Sequence, residues 1–174
     1  MRALAAIGVA LAAGAAAACK SPAPDAYLAI PAPSRESFVP ADGGIGSPPD
    51  TLGSHCGSLD CHGAVERNLR VYSYNGLRID GVSGNNVTTA AEYEATYEAV
   101  VGFDPEMLDA VVQDHGARPE RWIIVRKGRG TEHHVGGAAL SPLIAQVCLT
   151  SWLVGTPNPE ACAQSAEVLP PEPP

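Results

Sequence analysis

Large aromatic side chains are scarce in this chain of 174 residues: Phe, Trp and Tyr together make up 5%, with two Phe and two Trp. The expectation is one domain with a modest core. Basic residues are also few, 11 against 19 acidic, for a formal net charge of -8. A surface of that sign repels phosphate backbones and excludes general nucleic-acid binding. No apolar run reaches the roughly 20 residues that span a bilayer as a helix. The longest, residues 3–18, has 16. Familiar catalytic signatures are missing too. There is no Ser-His-Asp arrangement, phosphate-binding loop or His-Glu-x-x-His pattern, so no enzyme is expected.

What is present begins with an export signature. Met1-Arg2 supplies a positive start, and residues 3–18 fit the apolar region of a signal peptide. The run ends Ala16-Ala17-Ala18-Cys19. This resembles the bacterial lipobox, in which small residues precede a cysteine that becomes the lipidated N-terminus. An ordinary secretory signal ending in Ala-x-Ala is the alternative. Cys19, followed by the polar Lys20, favours the lipoprotein. Seven of the 16 prolines fall in residues 20–50. Proline removes backbone donors and disfavours helix at the preceding residue, so this stretch reads as an extended tether. The expected organisation is a signal peptide at 1–18, lipidated Cys19 and tether over 19–50, a folded domain at 51–167 and a Pro-rich tail at 168–174. The implied setting is the cell envelope, with a membrane as partner through the lipid and the domain in the periplasm or at the cell surface.

Within the body, Asn75-Gly76 between residues 69–74 and 77–80 reads as a small β-hairpin, and residues 81–86 as a loop. Thr89 and Glu92 form a capping box for a helix that places Tyr93, Tyr97 and Val100 on one face. Asp104-Pro105 starts a second helix, with Met107, Leu108, Val111 and Val112 inward and Gly116 as its stop. Residues 122–125 read as a short strand, and residues 126–137 as a basic, Gly-rich loop. Ser141-Pro142 starts a third helix with Leu143, Val147 and Trp152 packing, and Asn158-Pro159 a fourth. The fold class is therefore mainly α with a small β-hairpin, between unstructured ends.

The cysteines carry the chemistry. There are five, and lipidation of Cys19 leaves an even set. Cys148 and Cys162 lie on the third and fourth helices and read as a structural disulfide. Cys56 and Cys61 belong to a sharper run, His55-Cys56-Gly57-Ser58-Leu59-Asp60-Cys61-His62-Gly63. A C-x-x-C-H run attaches c-type haem, with two thioethers and an imidazole on the iron. Here the spacing is C-x4-C-H, two residues longer, and the extra residues would bulge outward. Spacing alone also allows a local disulfide between Cys56 and Cys61, or zinc held by Cys56, Cys61, His62 and another histidine.

Residues 56–80, CGSLDCHGAVERNLRVYSYNGLRID, resemble a poorly characterised bacterial lipoprotein family with a cytochrome-c-like Cys-His-Gly haem motif. The resemblance extends through residues 88–92 and 125–127 to His133-His134-Val135-Gly136-Gly137, and so covers most of the body. It implies a cytochrome-c-like small helical domain with haem c as cofactor. It also implies cofactor-binding roles for Cys56, Cys61, His62, His133 and His134. The iron ligands would be His62 and one of the two loop histidines, with His134 placed beside His62 in the metal set. Met107, the other thioether-bearing candidate, reads as a core residue of the second helix. Arg118, Arg121, Arg126, Lys127 and Arg129 would be available to haem propionates. The function implied is a membrane-tethered monohaem electron carrier with an unidentified redox or envelope protein as partner. The alternative is a non-catalytic, disulfide-stapled envelope lipoprotein with a binding or structural role. The anchor is tested by Cys19→Ala. The variant is expected in the soluble fraction or unprocessed, and a variant that fractionates with membranes and matures like wild type would refute it.

Overall fold

A computed structural model describes residues 33–39, 46–79 and 87–167. All of them lie in the compact unit Pro31–Pro174; the other unit is Met1–Ile30. The signal peptide, Cys19, the loop expected at 81–86 and the tail at 168–174 lie outside the described residues. Among the described residues the body is mainly helical, with six α-helices: α1 Pro48–Cys56, α2 Ala90–Phe103, α3 Pro105–Gln113, α4 Ile123–Gly128, α5 Leu143–Val154 and α6 Pro159–Glu167. A 3-10 turn, Pro119–Arg121, precedes α4.

Local signals set the helix starts. Thr89 Oγ1 accepts from Glu92 N, and the Glu92 carboxylate accepts from Thr89 N at 2.8 Å, closing the capping box of α2. Asn158 Oδ1 caps α6 by accepting from Ala161 N at 2.9 Å. Each such cap contributes about 1 kcal/mol. Tyr93 and Val100 are buried and Tyr97 half-buried, as the helical period of α2 requires. In α3, Leu108 and Val111 are buried, and Met107 packs against the same core. Gly116, beyond the end of α3, has φ +72°.

Helix α5 packs against α6, α1 and α3, and Ala145, Cys148, Leu149, Trp152 and Leu153 are buried along it. Leu143, expected to pack, stands 74% exposed at its start. Cys148 and Cys162 are disulfide-bonded, tying α5 to α6 across 14 residues. Loop closure of that size removes about 3 kcal/mol of unfolded-state entropy.

Three expectations are corrected. Residues 122–125 do not form a strand: Arg126 N bonds Trp122 O, and the segment enters α4 with Trp122, Ile124 and Val125 buried. An apolar run this short has no strand or helix period of its own, and the packing decides. Nor does Asn75-Gly76 head a β-hairpin. Among the described residues there is no strand, only an isolated bridge between Tyr72 and Leu77. A type I′ turn needs positive φ at both central residues, and neither Asn75 nor Gly76 has it. The backbone donors that would build a ladder go to side chains of the α2 region. Tyr72 N donates to Thr96 Oγ1 at 2.9 Å and Tyr74 N to Thr88 Oγ1 at 3.2 Å. The third correction concerns residues 33–39 and 46–50, assigned by sequence to the tether. They belong to the folded body.

Phe38 shows why. It is fully buried, with its ring centroid 4.7 Å from that of Trp152 and 5.5 Å from that of Tyr97. Trp152 Nε1 donates to Ser34 O at 3.0 Å, and the Tyr97 hydroxyl donates to Pro33 O at 3.1 Å. Removing a buried aromatic ring costs about 3–5 kcal/mol. Phe38→Ala is therefore expected to destabilise the protein by that amount in a denaturant titration, whereas a residue of an unpacked tether would change almost nothing.

Candidate functional site

Cys56 is the last residue of α1, and Gly57 N continues the helix turn by donating to Gly53 O. The chain then folds back on itself. Cys61 N and Gly63 N both donate to Ser58 O at 2.9 Å, and His62 N donates to Cys56 O at 2.9 Å. The extra residues of the long spacing are therefore accommodated outward: Ser58, Leu59 and Asp60 are all exposed. Closure is tight. A β-carbon on Gly63 or on Gly76 would collide with the Gly57 carbonyl oxygen. The Asn75-Gly76 signal thus marks a close chain crossing in place of a hairpin turn.

His62 is held at three points. Besides its N–H, its carbonyl accepts from Val71 N at 2.8 Å, and its Nδ1 lies 3.0 Å from Leu69 O. A carbonyl has no proton to give, so Nδ1 carries the hydrogen and the Nε2 lone pair is left open. The same logic applies to His134, whose Nδ1 lies 3.2 Å from Gly137 O. Neither Nε2 has a hydrogen-bond partner among the described residues. The two rings face one another, with centroids 5.8 Å apart and planes inclined by 15°. Burial holds His62 below the ordinary imidazole value; His134 and Arg67 add to the shift, and the Leu69 bond opposes it.

The loop carrying His134 is built on α4. Glu132 pairs with Arg126 at 2.5 Å and Lys127 at 3.0 Å, and Lys127 Nζ donates to His133 O at 3.2 Å. Gly130 and Gly137 take φ of +73° and +65°. A β-carbon on Gly136 would lie 3.1 Å from the His134 ring, tighter than ordinary contact. Of the two loop histidines, the structure brings His134 to His62; the His133 side chain is exposed.

Cys56 and Cys61 are free, half-buried thiols and are not bonded to each other. Burial pushes the Cys56 thiol up to about 12, and the neighbouring Cys61 adds to the shift. Such a thiol stays protonated at neutral pH, whereas a metal ion takes the thiolate. Among the described residues no three His, Cys, Asp or Glu side chains converge on a metal-ion site. Asp60 does not orient His62; the Leu69 carbonyl does.

The basic stretch expected to meet propionates is otherwise engaged. Arg118 and Arg121 pair with Asp114, Arg126 and Lys127 with Glu132, and Arg129 with Glu120. Each of these cations thus has an acidic neighbour, although three carboxylates are shared among the five. Three large apolar side chains in the two segments stay bare: Leu59 at 65%, Val65 at 55% and Val135 at 97% exposure.

These features fit a flat, iron-centred ring between the histidines. Imidazoles bound end-on through Nε2 to one ion, at about 2 Å each, would bring their ring centres to roughly 6 Å, comparable with the 5.8 Å between these two. The Cys56 and Cys61 thiols are close enough to act on each other and remain unbonded, so both are available for attachment. The residues that sequence reasoning missed are Leu69 and Gly137, which act through backbone carbonyls and so leave no side-chain signature, and Arg67. No family model, curated protein or solved structure matches the chain.

His55, next to Cys56, does a different job. It is buried, and its Nε2 lies 3.0 Å from Ser165 O, tying α1 to α6. Burial holds it, like His62, below the usual value of 6.5. With folded-state values depressed, protons bind preferentially to the unfolded chain. The stability of the metal-free protein is thus complete above about pH 6.5 and is lost as pH falls toward the folded-state values. Denaturant titrations at about pH 7.5 and 5.5 are expected to show that loss, and His55→Gln to reduce it.

Proposed function

We propose that this protein is an exported, lipid-anchored electron carrier of the cell envelope, a small cytochrome-c-like helical domain with one haem c. The observation that carries the reading is the pair His62 and His134. Each has Nδ1 beside a backbone carbonyl, which favours the tautomer that leaves Nε2 open, and the two ring centroids lie 5.8 Å apart with planes inclined by 15°. Metal-bound histidines have this second bond as a rule, because it fixes ring orientation and raises ligand basicity. His62 would be the proximal ligand and His134 the distal one. Cys56 and Cys61 would hold the ring covalently, each thiol adding S–H across one vinyl double bond. When bound, the group supplies one-electron redox chemistry.

The chain's own part is positional. Closure of the loop from Cys56 O to His62 N brings the second thiol and the imidazole to the end of α1. Gly136 leaves room for the His134 ring. Leu59, Val65 and Val135 offer apolar cover for a hydrophobic ring. If His62 and His134 both held the group, no position on it would be left for a substrate, which supports electron transfer over catalysis.

Protein purified from an envelope fraction is expected to keep peroxidase staining at its band through denaturing electrophoresis. His134→Ala should retain that stain but open the iron to carbon monoxide or cyanide, while His133→Ala should not. Absence of the stain, together with a peptide linking Cys56 to Cys61, would replace this reading with the disulfide-stapled envelope module.

A further inference from the structure

In a chain with surplus carboxylates, a guanidinium without one is unusual. Besides the five basic residues paired above, Arg35 pairs with Glu94 and Arg78 with Glu92. The remaining described cations, Arg67 and Arg70, have no carboxylate partner among the described residues. Arg70 is held by one bond, Nε to Val65 O at 2.9 Å. Arg67 is held by two, Nε to Cys61 O at 3.0 Å and Nη2 to Asp60 O at 2.9 Å.

Those two bonds fix the position of the Arg67 fork. They anchor it to consecutive carbonyls immediately before His62, on the loop that carries the second thiol. A guanidinium has five N–H groups, and two are spent here, so its remaining donors are available. Ordinarily a long side chain loses rotamer freedom when it captures an anion. Arg67 has already lost that freedom to the loop, so the charge is preorganised beside the candidate site.

We propose that Arg67 is the receptor for a carboxylate carried by the ring that docks between His62 and His134, that is, for a haem propionate. This assignment rests on the haem reading above. It replaces the cluster of Arg118, Arg121, Arg126, Lys127 and Arg129, each of which already has a carboxylate neighbour. A guanidinium meets a carboxylate through parallel N–H···O bonds, roughly twice as strong as neutral ones. Lysine in its place keeps the charge but loses the fork.

The test uses the full chain produced without covalent attachment, titrated with ferric protoporphyrin or with its dimethyl ester, which lacks both carboxylates. Wild type is expected to bind the free acid more tightly, on the order of tenfold, with a six-coordinate low-spin spectrum for both. Arg67→Gln should bring the ratio near one by weakening the free acid alone. Arg67→Lys should fall between. Arg118→Gln, which removes the same unit of charge elsewhere, should keep the wild-type ratio. If wild type binds neither porphyrin with that spectrum, the haem reading fails and this assignment with it. Equal binding of acid and ester by wild type, or an unchanged preference in Arg67→Gln, overturns Arg67 as receptor and leaves the haem reading standing. Equal weakening of acid and ester in Arg67→Gln also overturns it, because Arg67 would then act only by holding the loop.

Discussion

Gly63 and Gly76 approach the Gly57 carbonyl so closely that neither position admits a β-carbon. Three chain segments meet at that oxygen: the exit from α1, the turn that begins at His62, and the Tyr72-to-Leu77 bridge. Their crossing explains why a loop two residues longer than a c-type attachment loop still brings Cys56, Cys61 and His62 together. It also seats the bridge under α2, where Thr88 and Thr96 take up the backbone donors of Tyr74 and Tyr72. A polar segment without strand partners thereby satisfies its backbone with side chains, as buried peptide groups must. Any widening at the crossing would release His62 from Cys56 O and Leu69 O alike.

The core solves a different problem, that of having few large rings. Phe38, Tyr97, Trp122 and Trp152 are gathered into one cluster, with neighbouring centroids 4.7 to 6.5 Å apart. Two of these rings also reach backbone carbonyls of residues 33 and 34 through their polar atoms. Concentrating aromatic area in one place lets a Pro-rich approach segment fold onto the domain, since the area it buries offsets the entropy of ordering it. The disulfide between Cys148 and Cys162 adds stability at the other side of α5, where the second, smaller apolar cluster lies.

Charge is organised by the same economy. Most described cations face carboxylates, so the basic stretch before and within the His134 loop helps to build that loop. Glu132 is the hub: its carboxylate is held low by Arg126 and Lys127, and Lys127 in turn holds the carbonyl of His133. The exception is the turn after His62, where Arg67 and Arg70 are clamped to carbonyls instead.

Much of this was legible in the residue order, and the legible part shares one cause. The capping box of Thr89 and Glu92, the inward faces of α2 and α3, and the starts of α5 and α6 depend on neighbours within one or two helical turns. Those interactions are written into spacing. The disulfide followed because its cysteines lie on two helices joined by a short turn. The Cys-His-Gly run was visible as a pattern of reactive atoms. What the order of residues left open were contacts between distant segments, where steric fit and crossing angle choose among options that look alike locally. Only the tertiary structure decided that residues 122–125 enter a helix and that Gly76 serves a chain crossing. The same holds for the pairing of the basic cluster with carboxylates and for the choice of His134 over His133 to lie beside His62. Adjacent histidines are equivalent in sequence. The hydrogen bond to Gly137 O and the space left by Gly136 aim only one of them, and that aim exists only once the loop is folded against α4.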